Sequence, residues 1–355
     1  MDRNAGCCSG THVEGTRKHT RKRCLVLNQT IALTWRLTSS NVLQGFRGSY
    51  ESACKRFDPE DLEVDVTGRS FMVTGANSGI GKAAAKEIAR RGGIVHLVCR
   101  NKDRAEEAKK EITTETSNEN VFVHILDMSD PKGIWKFAEQ YKNEHKLNVL
   151  INNAGCMMNQ KELTADGLEK NFATNTLGTY ILTTALLPLL EKENDPRVIT
   201  VSSGGMLVQK LNASDLQSEE VAFDGMMVYA QNKRQQVVLT EQWAKSHPSI
   251  HFSSMHPGWA DTPAVRTSMP EFYEKMKNRL RTEAQGADTV VWLAVSPAAH
   301  KQASGLFFQG MGLILFTWMG RKDTVFKKAV LQPVFRPALP KATAALNSSQ
   351  NAADK

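Results

Sequence analysis

The feature that most constrains this chain is a change of rhythm at about Arg69, where short β-branched or apolar runs begin to alternate with longer amphipathic stretches. Ser70–Thr74, Ile94–Val98, Val121–Ile125, Asn148–Ile151, Arg197–Val201, Ile250–Ser254 and Ser304–Phe308 read as strands. Between them, Gly79–Arg91, Asp103–Glu115, Pro131–His145, Gly167–Leu190 and Met227–Ser246 read as helices. Gly92-Gly93 closes the first helix, and Pro188 interrupts the fourth near its end. Strands separated by helices pair in parallel, and right-handed crossovers put the helices on both faces. The expected fold is α/β, a doubly wound parallel sheet of about seven strands.

One domain, 58–309, accounts for this alternation, and the flanks differ from it in charge. Of the formal +8, residues 1–57 carry +7 and residues 310–355 carry +5, which leaves the middle at −4. The basic balance belongs to the ends, which are expected to be poorly ordered extensions, and it assigns no nucleic-acid partner to the core. Arg17-Lys18-His19-Thr20-Arg21-Lys22-Arg23 has the composition of a nucleic-acid patch, but such runs are common in unstructured termini. No stretch reaches the roughly 18 apolar residues of a membrane span. Met311–Met319 is long enough only to lie on a membrane surface. The six cysteines form no CxxC pair and no framework, so neither a disulfide scaffold nor a metal site is expected. A reducing compartment fits, and a cytoplasmic location is expected. The alternative is mitochondrial, since Gly15–Tyr50 is free of acids and holds Arg, Ser and Thr.

Thr74-Gly75-Ala76-Asn77-Ser78-Gly79-Ile80-Gly81 lies between the first strand and the first helix. Glycines there allow a tight turn and let the backbone approach a pyrophosphate, while the helix aims its free N–H groups at the same anion. The order strand, loop, helix turns a weak glycine signal into a dinucleotide site formed by Gly75, Asn77, Ser78, Gly79, Ile80 and Gly81. An acid at the end of the second strand would select NAD through its ribose 2′-hydroxyl, whereas arginine tolerates a 2′-phosphate. Cys99-Arg100-Asn101-Lys102 holds no acid, so NADP(H) is favoured over NAD(H), with Arg100 and Asn101 as contacts. The plainer reading leaves Arg100 as a solvated residue at a strand end. Asp127, past the third strand, is placed to accept from the adenine amino group. Asn153, Ala154 and Gly155 follow the fourth strand on the carboxyl edge, where open sheets bind ligands. Either group alone also reads as an ordinary turn.

Tyr229 and Lys233 are four apart on a helix, so they share one face, ~6 Å apart along the axis. A phenol with a reference pKa of about 10 is a poor acid–base catalyst at neutral pH. A nearby ammonium lowers that pKa, and an oxidised nicotinamide acts in the same sense. Alone, Tyr-x-x-x-Lys is mostly an exposed helical pair.

Thr74–Gly81, Asn152–Gly155, Asn175, Ser202-Ser203, Tyr229–Lys233 and Pro257-Gly258 occur together in this order, and in this the chain resembles the short-chain dehydrogenases/reductases. A closer resemblance, to one group of that family, runs through Tyr50–Cys54, His96–Arg100, Val201–Leu211 and His256–Thr262, and covers residues 48–309. The resemblance implies a Rossmann-like fold and an NAD(P)-dependent oxidoreductase that interconverts a carbonyl and an alcohol. It assigns Tyr229 as general acid/base and a contact of the cofactor, and Lys233 as its partner and a contact of the nicotinamide ribose. Ser203 becomes the binder of the substrate oxygen, with Ser202 as fallback. Asn175 would hold a water linking Lys233 to solvent, and Pro257, Gly258 and Thr262 would contact the nicotinamide end.

Met157, Met158, Met206, Leu207 and Trp259 suggest an apolar pocket, although such residues are more often ordinary core. A homo-oligomer is compatible with all of this. One departure is the 26 positions from Ser203 to Tyr229, longer than in the commonest members and similar to retinol-dehydrogenase-like ones. Gly204–Met227 is therefore expected to form a loop over the substrate. A catalytically silent NAD(P)-binding sensor or scaffold on the same fold is the competing reading.

Overall fold

A computed structural model of the protein describes residues 45–55 and 57–309, and the backbone of Gly312–Leu313. The basic run Arg17–Arg23, nearly all of the presequence-like stretch, and Met311–Met319 apart from those two residues lie outside the described residues.

The strands are β1 (Ser70–Thr74), β2 (Ile94–Cys99), β3 (Val121–Ile125), β4 (Val149–Asn152), β5 (Arg197–Val201), β6 (His251–His256), β7 (Leu306–Gln309) and β8 (Gly312–Leu313). They form one sheet in the order β3-β2-β1-β4-β5-β6-β7-β8. The first seven are parallel and only the two-residue β8 runs antiparallel, pairing Phe308 with Leu313. β1 lies between β2 and β4, with Met72 opposite His96 on one side and Leu150 on the other. Strand order reverses there, so the helices that follow β1 and β4 pack on opposite faces of the sheet and leave a crevice at its carboxyl edge.

Alternation along each strand feeds two cores. Phe71 and Val73 of β1 face one cluster, built with α2 (Gly79–Arg90), α3 (Lys102–Thr116) and α9 (Glu283–Val295). Met72 faces the other, built with α4 (Pro131–Glu144), α5 (170–190) and α6 (Gly225–Ser246). All five residues of β1 are buried, the pattern of a central parallel strand covered on both faces. α5 is one run with three parts: Lys170–Phe172, a π-helical turn Ala173–Gly178, and Thr179–Leu190. It starts later than the expected Gly167 because Leu163 and Glu169 form a β-bridge and the Glu169 carboxylate caps the helix, accepting from Asn171 and Phe172 N–H.

Several elements depart from the sequence reading. α1 (Arg47–Cys54) lies within the stretch read as an N-terminal extension, yet it is held to the domain. The Trp259 N–H donates to the Gly45 carbonyl at 2.8 Å, and the Arg281 guanidinium sits 5.3 Å from the Tyr50 ring centre. α7 (Pro263–Ser268), α8 (Pro270–Met276) and α10 (Pro297–His300) are short helices in segments without helical periodicity. α9 gave no periodic signal because Gly286, Ala287 and Thr289–Val295 are all buried. Its start is nevertheless written in the sequence, as the reciprocal capping box of Thr282 and Gln285. No described helix is long and apolar enough to cross a membrane.

Candidate active site

β1 ends at Thr74 and the chain turns through Gly75 (φ 66°) and Gly79 (φ 59°), left-handed values suited to glycine. A Cβ at Gly81 would collide with the Asn153 amide and the Gly75 carbonyl. Asn153 explains this tightness, since its Nδ2 donates to the carbonyls of Thr74 at 2.9 Å and Gly75 at 3.3 Å. In return, Thr74 Oγ1 accepts from the N–H of Asn153 at 3.0 Å and of Ala154 at 2.9 Å. The loops after β1 and β4 are thus one hydrogen-bonded unit. Ser78 makes no side-chain cap on α2, so the positive end of that helix opens toward the loop. Thr262, which caps α7 through the Val265 N–H, also packs its methyl against Gly79.

Arg100 is exposed at the end of β2. Asn101 beside it caps α3, its Oδ1 accepting from the Arg104 N–H at 2.9 Å. Asp127 is exposed, and its Oδ1 accepts from both the N–H and the hydroxyl of Ser129 at 2.8 Å. The buried Cys99 thiol faces the N–H groups of Ala76 and Asn77, and burial pushes it up to about 11.

The tyrosine and lysine stand on α6, which begins at the Asp224 cap and packs Val238 and Trp243 against Val198 of β5 and Phe252 of β6. Lys233 is 3% exposed; its Nζ donates to the Val201 carbonyl at 2.9 Å and lies 5.4 Å from the centre of the Tyr229 ring. The Ser203 hydroxyl faces the Tyr229 phenol and acts to lower its pKa, while its Oγ accepts from the Gly205 N–H. Ser202 is buried and donates to the Lys233 carbonyl at 2.8 Å, so of the two serines only Ser203 faces the tyrosine. Burial pushes Tyr229 up to about 12 and Lys233 down to about 8. Without cofactor, desolvation of the phenol is the largest influence and outweighs Ser203, which acts to lower the Tyr229 pKa.

Asn175 lies in the π-turn of α5, where the backbone departs from α-helical spacing. Its Oδ1 accepts from the Cys156 N–H at 2.9 Å, its Nδ2 donates to the Cys156 carbonyl at 2.8 Å, and its own carbonyl accepts from Gln236. Asn171 does the same to the second residue along: its Oδ1 accepts from the Met158 N–H at 2.7 Å and its Nδ2 donates to the Met158 carbonyl at 3.3 Å. Two carboxamides four apart on α5 thereby hold alternate residues of the extended segment after Gly155. Gly155 stands between the groups so placed. A Cβ there would come within 3.0 Å of Asn175 Oδ1 and 3.5 Å of Lys233 Nζ.

A family profile described as short chain dehydrogenase matches residues 69–271. Dehydrogenase/reductase SDR family member 12 of Bos taurus is 72% identical over 263 residues, covering 74% of this chain and 83% of that protein. The chain belongs to the short-chain dehydrogenase/reductase family. Retinol dehydrogenase 11 of Mus musculus is 34% identical over 270 residues, covering 75% of this chain and 85% of that protein. A short chain dehydrogenase from Escherichia coli CFT073, solved with NADPH, matches with a TM-score of 0.58 at 22% identity, over 70% of this chain and 99% of the other. That last likeness concerns the fold. As a member of the family, the chain is an NAD(P)-dependent oxidoreductase.

The family assignment makes it informative where each expected residue stands. Gly75–Gly81, Asn153–Gly155, Asn175, Ser203, Tyr229, Lys233 and Thr262 meet at the carboxyl edge near the β1/β4 reversal. Pro257 and Gly258 follow β6 on the same edge, and the Pro257 carbonyl accepts from Arg281 Nη1 at 3.0 Å. Of the expected apolar lining, Met206 does not qualify. The 3-10 turn Gly204–Val208 tucks it fully into a small core with Val237 and Phe307, and Leu207 packs on that core. Met157, Met158 and Trp259 stay partly exposed, Trp259 packing on Phe272 with ring centres 4.5 Å apart.

The long segment before Tyr229 is not a free loop. Leu211, Ala213 and Leu216 pack on the α4–α6 core, Gln217 accepts from the Glu169 N–H, and Lys161 donates to the Ser218 carbonyl. Asn171, Cys156 and Arg281 were missed by the sequence reading. An asparagine four before Asn175 on the same helix was the only signal available for the first. The others carry no motif.

Proposed function

We propose that the chain is an NADP(H)-dependent oxidoreductase that interconverts an apolar carbonyl compound and its alcohol, with Tyr229 as general acid/base. The observation that carries this is the Tyr229 ring, whose centre lies 5.4 Å from the buried Lys233 ammonium and whose phenol is faced by Ser203.

The residues fit the cofactor. The glycine loop and the N-terminus of α2 would hold its pyrophosphate, Arg100 a 2′-phosphate, and Asp127 the adenine amino group. Bare Gly155, between Asn175 and Lys233, leaves room where a side chain would close the floor, and Pro257, Gly258 and Thr262 would contact the nicotinamide end. When bound, the cofactor supplies the hydride and, when oxidised, a cationic ring.

The chain's own groups do the rest. Ser203 and Tyr229 face one another and would donate to the same carbonyl oxygen, polarising it. With its pKa raised by burial, Tyr229 keeps its proton across the neutral range and so serves as donor in reduction. Lys233 remains charged below about pH 8 and would steady the phenolate left behind. Asn175 would position the loop of Gly155 through Cys156, in addition to any role in holding water.

Preference for the phosphorylated cofactor is supported by exposed Arg100 and by the absence of an acid from Cys99 to Lys102. An apolar substrate is supported by partly exposed Met157, Met158 and Trp259 and by relatives named as retinol dehydrogenases.

The test is a screen of NADPH and NADH oxidation over apolar aldehydes and ketones. Turnover with NADPH of at least one carbonyl is expected. Tight NADPH binding without turnover of any would favour the silent sensor instead.

A further inference from the structure

Away from the carboxyl edge, three histidines from three different elements converge. His96 lies in the middle of β2, His124 on β3, and His145 at the C-cap of α4. His96 Nδ1 and His124 Nε2 are 2.9 Å apart, and one nitrogen from each of the three rings lies within 4.8 Å of the others. The rings pack face-on and edge-on: His96 to His124 at 5.1 Å, His96 to His145 at 4.9 Å and Tyr141 to His145 at 4.7 Å between centres. His96 is buried while His124 and His145 are partly exposed, so the cluster has an inner wall and a solvent side.

We propose that His96, His124 and His145 form a zinc-binding site that fastens the β2–β3 edge of the sheet to the end of α4. Tetrahedral zinc with Zn–N bonds of about 2.0–2.1 Å places its nitrogens ~3.3 Å apart. The present spacings bracket that value, so small rotations of the two partly exposed rings complete the site. Three imidazoles without thiolate or carboxylate suit zinc far better than magnesium or calcium, and leave a fourth position for water. Ligand imidazoles must be neutral, and burial together with the neighbouring rings holds His96 down at about 3 and His124 at about 4. Glu144, with a carboxylate oxygen 3.8 Å from His145 Nε2, places negative charge beside the site. The site is separate from the Tyr229 chemistry. His145 ends a helix that runs back toward the amino edge of the sheet, and the proposal does not rest on the assigned activity.

The experiment uses the full chain without a histidine tag, stripped with EDTA, equilibrated with zinc sulfate and desalted. We expect one zinc per chain, a higher melting temperature with zinc, and an X-ray absorption spectrum showing nitrogen and oxygen neighbours only. His145→Gln and His124→Gln should each weaken zinc binding by at least ~10-fold. His145→Gln, at a partly exposed helix end, should melt as wild type does without zinc. Failure of wild type to retain zinc would overturn the proposal, as would sulfur ligation, or equal zinc retention by wild type and both variants. If a variant fails to fold, the wild-type absorption spectrum alone decides.

Discussion

The two sides of the β1/β4 junction are built by different means. On the β1 side the site is backbone: two left-handed glycines, a third without room for a Cβ, and Asn153 and Thr74 stitching two loops together. On the β5–β6 side it is side chains: a lysine with its ammonium on a strand-end carbonyl, a tyrosine faced by a serine, and two asparagines holding the intervening segment. The difference separates tasks. On the proposed reading, the backbone side would set affinity through its N–H groups and shape, and the side-chain side would set rate through its titratable groups.

That division can be broken most severely at Lys233. Lys233→Met should lower turnover by ~10²–10⁴-fold, measured at saturating NADPH and substrate. The same change should not destabilise the cofactor-free chain. Lys233 keeps its proton to pH 10.5 when unfolded but only to about pH 8 when folded. Below pH 8 the buried charge therefore costs about 3 kcal/mol, and this cost is relieved as pH rises through the window between the two values. Losing it offsets the unpaired Val201 carbonyl, and thermal melting at pH 7 checks the balance. In wild type, reductive turnover should decline above about pH 8 as Lys233 loses its charge, while Tyr229 holds its proton to about 12.

Gly81→Ala attacks the other side. Its Cβ has nowhere to go, and strain of about 1–3 kcal/mol should weaken NADPH binding by ~10-fold or more, with the rate at saturation kept. Titration of cofactor fluorescence separates the two effects. A loss of rate without loss of affinity would erase the distinction. Arg100→Asp sharpens it further. Removing a charge-assisted contact worth about 1.5–3 kcal/mol should reduce the NADPH-over-NADH preference by ~10-fold, read as the ratio of kcat/KM values. An unchanged ratio would return Arg100 to plain solvent. Asn171→Ala should have the smallest effect on rate. It removes two bonds to the Met158 backbone and should cost about 1–3 kcal/mol of stability by urea unfolding.

The backbone side was largely legible from sequence because its requirements are local. β-branched runs mark buried parallel strands, and glycines at fixed offsets between strand and helix mark a phosphate turn. Less of the side-chain side was legible. Tyr229, Lys233 and Ser203 came from a family pattern, but the partners that fix them did not. Asn171 bonds the backbone of Met158, a contact no spacing rule reports. Met206 read as pocket lining, although a short 3-10 turn buries it completely. α9 buries an unbroken run from Thr289 to Val295 and so shows no period to detect. The histidine cluster joins residues 28 and 21 positions apart, and only strand register and the length of α4 bring them together. The direction of the Tyr229 shift was also out of reach, because burial is a property of the fold.

The most direct measurement of the central claim is single-turnover oxidation of bound NADPH by Tyr229→Phe, with a carbonyl compound that wild type reduces. The account predicts a rate lowered by ~10²–10⁴-fold, with NADPH affinity unchanged. Equal rates for the variant and wild type would contradict it.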